Sequence, residues 1–134
     1  MDWKALLQEV EEYCIKEGIS ISYEDAGSYA TREDGKSIII INKRLSPKSM
    51  LYELLHEVGH IRLFKKMNYK SRFEEGLFGH VDRRSNLVIE LEEEVCAWWE
   101  GFLVARRLGL DLERSGWEEY KTKCITGYIK AMKI

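Results

Sequence analysis

Trp3, Leu6, Leu7, Val10, Tyr13 and Cys14 recur at steps of three and four, with Lys4, Gln8, Glu11 and Glu12 on the opposite side. That period predicts an amphipathic helix over residues 2–17, closed by Gly18. Alternation then replaces it: Ile19 to Glu24 reads as a strand, and Asp25-Ala26-Gly27-Ser28 as a turn. Tyr29 to Arg32 predicts a second strand, and Glu33-Asp34-Gly35-Lys36 contains the Asp-Gly pair that favours a tight hairpin. Ser37 to Asn42, with four consecutive isoleucines, predicts a third strand buried on both faces or nearly so.

Ser46-Pro47 opens the next element, because serine caps a first turn and proline suits the first helical position, where its missing N–H is no loss. Good helix formers follow without a breaker until Gly59, and the pattern predicts a helix over 47–66. Residues 65–86 mix Lys65, Lys66, Lys70, Arg72, Arg83 and Arg84 with aromatics and glycines and lack sustained periodicity, which predicts a long loop. A second long helix is expected over 85–108, with Gly109 as its terminator. Ser115-Gly116-Trp117-Glu118 has the pattern of a capping box, and Trp117, Tyr120, Cys124, Tyr128 and Met132 continue at helical spacing. These elements define an α+β fold: an N-terminal helix, a three-stranded sheet and three further helices. No repeat or linker interrupts them, so residues 1–134 are expected to form a single domain.

Composition narrows the function classes. A net charge of -2 gives no general pull toward nucleic acid or membrane, although the basic stretch after the central helix makes an acidic partner conceivable. Cys14, Cys96 and Cys124 are odd in number, widely spaced and free of any CxxC pair, and read as reduced thiols. The chain enters its first amphipathic pattern directly after Met1, without a basic-then-apolar leader or an apolar run of about 18 residues. A cytoplasmic protein with no membrane segment is the expectation.

The candidate chemistry lies in the central helix, within His56-Glu57-Val58-Gly59-His60. Four helical residues turn about 400°, so His56 and His60 share one face, one turn apart, where two imidazoles can grip one metal ion. Glu57 lies one step round the helix and can reach a metal-bound water rather than the metal. The alternative, two histidines that merely pack, accounts poorly for the pair and the glutamate occurring together.

A catalytic zinc usually keeps three protein ligands and an open position. His80 is the only other histidine and lies in the expected loop. On the second long helix, Leu87, Leu91, Glu94, Trp98, Gly101, Ala105 and Leu108 trace one inward stripe on which Glu94 is the only acid. An acid on an apolar face is costly unless something pairs with it, and a dication would do so. Glu94 is therefore the expected third ligand, with Glu90 and Glu93 as alternatives.

HEVGH on a helix after a short sheet, followed by Glu94-Val95-Cys96-Ala97-Trp98 on a later helix, resembles the small gluzincin-type zinc metallopeptidases, in particular the ImmA/IrrE family and its phage or mobile-element relatives. The resemblance covers roughly residues 37–108. It implies a zincin-like core in which His56, His60 and Glu94 bind Zn2+ and Glu57 is the general base. It also implies a protein or peptide substrate, often a repressor encoded nearby. Two departures from the family pattern are expected: no attached helix-turn-helix domain of the kind some relatives carry, and Trp98-Trp99-Glu100-Gly101 in place of the commoner small and polar residues after the alanine.

Peptide hydrolysis also needs a donor for the tetrahedral oxyanion, and Tyr69, His80, Arg83 and Arg84 are near enough in sequence to be candidates. The third strand is expected to offer an edge for an extended peptide. The competing function class is a regulatory or binding module that keeps the scaffold without catalysis. An intact Glu57 has no purpose in a purely structural metal site, and so favours the enzyme.

Overall fold

The structure, a computed structural model, describes residues 1–67 and 83–132. Its elements follow the order α1 (Trp3–Lys16), β1 (Ser20–Glu24), β2 (Tyr29–Glu33), β3 (Lys36–Asn42), α2 (Pro47–Lys66), α3 (Arg83–Arg107) and α4 (Arg114–Met132). The architecture is α+β, with four helices and one three-stranded mixed sheet among the described residues.

Local chemistry sets most boundaries. The Asp2 carboxylate accepts from the Ala5 amide at 3.1 Å and caps α1, while the Ile19 amide donates back to the Cys14 carbonyl at 2.8 Å and closes it. Ser46 accepts from the Ser49 amide at 3.3 Å, with Pro47 at the start of α2. Between β2 and β3, Asp34 and Gly35 have φ of 50° and 77°, the two left-handed residues that a type I′ hairpin requires. Glu33 accordingly pairs with Lys36 across a two-residue turn. The C-terminal helix begins two residues earlier than a capping box with Ser115 as its cap predicts. The Trp117 amide donates to the Glu113 carbonyl, so Ser115 lies inside the first turn instead of capping it.

The sheet order is β1-β3-β2, with β1 parallel and β2 antiparallel to β3. This corrects the expectation that β3 offers a free edge: it is the central strand, with neighbours on both sides. Burial explains the arrangement. Ile39, Ile40 and Ile41 are buried, and a strand with almost no polar face gains most where hydrogen-bonded neighbours cover both of its edges. β2, with four of its five residues exposed, occupies one edge.

Helix α2 is the hub, touching α1, α3, β2 and β3. Leu51, Leu54, Leu55 and Val58 are fully buried along it, and the core continues through Ile39, Ile41, Trp98 and Trp117. A Cβ placed on Gly59 would lie 2.8 Å from the Ala97 carbonyl carbon, and one on Gly101 would lie 2.8 Å from that of Leu55. The two glycines let the backbones of α2 and α3 approach closely. No helix among the described residues is long and apolar enough to cross a membrane.

Candidate metal centre

The close approach of α2 and α3 brings Glu94 to the two histidines. Glu94 Oε2 lies 2.6 Å from His60 Nε2, and Oε1 lies 3.4 Å from His56 Nε2. The imidazole centroids of His56 and His60 are 4.5 Å apart, as expected one helical turn apart on a shared face. Glu57 joins them, since ligand-type atoms of His56, Glu57 and His60 all lie within 4.8 Å of one another. All four residues predicted from sequence thus converge.

Their electrostatics are those of a crowded, half-dry site. Burial raises the Glu57 carboxyl to about 7, with the charges of Glu94 and Glu53 adding to the rise and His60 opposing it. His56 is lowered, chiefly because its burial disfavours the cation. Burial works against ionisation of Glu94, but the close polar contacts and charges of His60 and His56 overrule it and hold the carboxyl at about 2. Burial likewise opposes protonation of His60, yet the hydrogen bond and charge of Glu94 raise it. Glu53, one turn before Glu57, accepts from the Tyr120 hydroxyl at 3.3 Å and is raised mainly by burial.

Within the motif, atoms remain unbalanced. Among the described residues, His56 Nε2 and Glu57 Oε2 are buried without a hydrogen-bond partner. The 3.4 Å approach of Glu94 to His56 is a charge contact without the alignment of a hydrogen bond. Burying such atoms unpaired is costly, and a cation held among two imidazoles and several carboxylates would satisfy them together. The donor set of nitrogen and oxygen atoms fits a divalent metal ion.

The site opens into a cleft of about 770 Å3. One wall is β2, with Tyr29, Thr31 and Arg32; Phe64 of α2 and Tyr128 of α4 also line it. The Tyr128 hydroxyl donates to Glu90 at 3.3 Å, which occupies that alternative third ligand elsewhere. Glu93 adds its charge to those that raise His60. Tyr69 and His80 lie outside the described residues.

Sequence reasoning missed several neighbours of the site. Trp98 stacks on the His56 ring with centroids 4.1 Å apart and planes 9° from parallel. Its place on the Glu94 stripe predicted burial but not this contact. Glu53 lies three residues before His56, a spacing that puts it on the same helix face, and that signal was available.

The fold and this cluster define a small α+β protein with an HExxH motif on its central helix and a nearby glutamate on the next. The family model Peptidase_M78, described as the IrrE N-terminal-like domain, matches residues 14–87, just over half of the chain. The chain belongs to this ImmA/IrrE-type metallopeptidase family. At family level, that brings a protease-like function and a protein or peptide substrate. No curated protein and no solved structure matches the chain significantly. The matched region contains His56, Glu57 and His60, whereas Glu94, Trp98 and all of α4 lie beyond it.

Proposed function

We propose that the protein is a zinc-dependent endopeptidase that hydrolyses a peptide bond in a partner protein. His56, His60 and Glu94 hold the zinc, and Glu57 is the general base. The observation that carries this reading is the meeting of Glu94 with both Nε2 atoms from a facing helix, beside a Glu57 oxygen that is buried without a hydrogen-bond partner.

Two carboxylates are close enough to compete as third ligand, and we assign the role to Glu94. It approaches both imidazole nitrogens, whereas Glu57, adjacent to His56 on the same helix, retains an unengaged oxygen for proton transfer. When bound, zinc would supply Lewis acidity, polarising a scissile carbonyl and bringing the pKa of a coordinated water toward about 7. Glu57 Oε2 takes a proton from the attacking water and passes it to the departing amine. Among the described residues, strand β2 has a strand neighbour on one side only, and it forms a wall of the cleft along which an extended substrate can pair. A repressor is the substrate class that the family resemblance implies.

The test is metal content after purification without chelators. Wild-type protein should carry about one zinc per chain, and His60→Ala and Glu94→Ala should carry far less. Wild-type zinc content in Glu94→Ala would move the third ligand elsewhere. The same content in His60→Ala would remove the motif from the site. A regulatory module without catalysis finds less support, because it leaves the buried Glu57 carboxyl without a task.

A further inference from the structure

We propose that Trp98 is a positioning residue for the metal centre: its indole fixes the plane of the His56 imidazole and stabilises that ring in its metal-bound form. The inference rests on the zinc reading above and adds a residue outside the metal-ligand set.

The geometry is specific. The indole and imidazole are nearly parallel, 9° apart, with centroids at 4.1 Å, so the face of one ring covers the face of the other. Trp98 is itself immobilised. It is fully buried, Trp117 meets it edge-on at 5.1 Å and 69°, and Tyr120 lies 5.9 Å away at 58°. Trp117 is also fully buried and packs against Tyr52 at 5.4 Å. The wall behind His56 therefore runs from α4 through Trp98 of α3 to the ligand on α2.

Two physical consequences follow. Rotation of the imidazole about its χ2 bond would drive its edge into the indole face, so the stack restricts the ring before any ion arrives. A ligand with a settled orientation loses less freedom on binding. In addition, an imidazole bound to a dication carries more positive charge than a free one, and the electron-rich face of tryptophan attracts positive charge. The stack therefore favours the metal-bound form over the empty one.

The test uses Zn2+ and Co2+ alone, on the full chain. In a chelator competition, Trp98→Leu should weaken zinc binding about 10- to 100-fold, the range for losing a group that orients a ligand. Trp98→Phe, which retains an aromatic face, should recover most of that loss. Trp3→Phe, altered at the far end of the same aromatic cluster against Tyr52, should lower thermal stability while leaving zinc affinity within about threefold of wild type. Cobalt-loaded Trp98→Leu should show shifted visible bands, a signature of altered ligand geometry that lost stability alone would not produce. If Trp98→Leu fails to fold, Trp98→Phe decides by emission: zinc should change the tryptophan fluorescence of wild type and of Trp3→Phe, but not of Trp98→Phe.

Unchanged affinity and cobalt bands in a folded Trp98→Leu, or a persistent zinc-dependent emission change in Trp98→Phe, would overturn the inference. Failure of the zinc reading itself would look different. Wild-type protein would then bind zinc no better than His60→Ala, and both proposals would fall together.

Discussion

Gly59 of α2 packs against Gly101 of α3 so closely that a Cβ on the first would stand 2.9 Å from the backbone nitrogen of the second. This contact sets the separation of the helices that carry the histidines and Glu94, so it belongs to the site as much as to the core. Gly59→Ala and Gly101→Ala should each destabilise the fold by about 3 kcal/mol or more, because the added methyl meets backbone that cannot rotate away. Urea unfolding measures the loss. Zinc affinity should fall in the same variants as Glu94 is pushed from the histidines, and an unchanged denaturation midpoint would contradict the packing argument.

Glu57→Gln keeps the size of the side chain and removes its ability to accept a proton. Zinc content should remain at the wild-type level. Cleavage of any peptide that wild-type protein cuts in a proteome-derived library should fall by about 10²- to 10⁴-fold. Equal cleavage by the two proteins would remove the general-base role.

Much of this was legible because it depends on local periodicity. The four-residue spacing of His56 and His60 fixes their relative direction whatever the rest of the chain does, and the stripe through Leu91, Glu94 and Trp98 exposes an acid on an inward face. The Asp34-Gly35 turn was equally readable, since few other pairs adopt two positive φ angles. Strand order was not readable. Nothing in the composition of Ser20–Glu24 shows that it pairs with β3 across the intervening hairpin, because parallel pairing is decided by long-range burial. Gly59 lies inside a helix that the sequence already predicts over 47–66, but the reason for a glycine there appears only when α3 is laid beside it.

Glu100 is buried on α3, where Lys66 pairs with it and Arg62 Nε lies 3.6 Å away. Arg62 also donates to the Tyr13 hydroxyl at 3.3 Å, which joins α1 to the same group. Glu100→Ala should cost about 3 kcal/mol, because Arg62 Nε stays buried after its counter-charge is removed. Thermal unfolding checks the cost. A double variant that also carries Arg62→Met should recover part of it, and no recovery would show that the two charges are not coupled.

The three thiols differ in environment. Cys96 is exposed on α3, whereas Cys14 is buried in the core with its thiol pushed up to about 12 by burial, helped by the charges of Glu11 and Glu17. Native protein at neutral pH should therefore be alkylated rapidly at Cys96 and scarcely at Cys14, and denaturant should equalise them. Mass spectrometry of tryptic peptides gives the answer. Comparable labelling of Cys14 in the native state would contradict its place in the core.

The arrangement around the metal is tested most directly by X-ray absorption at the zinc edge of the loaded protein. Nitrogen and oxygen scatterers at about 2.0–2.2 Å are expected, with the multiple-scattering signature of two imidazoles and no sulfur at about 2.3 Å. In Glu94→Ala, one oxygen scatterer should be lost or replaced while both imidazoles remain. A sulfur shell, a single imidazole, or a Glu94→Ala spectrum identical to wild type would contradict the account.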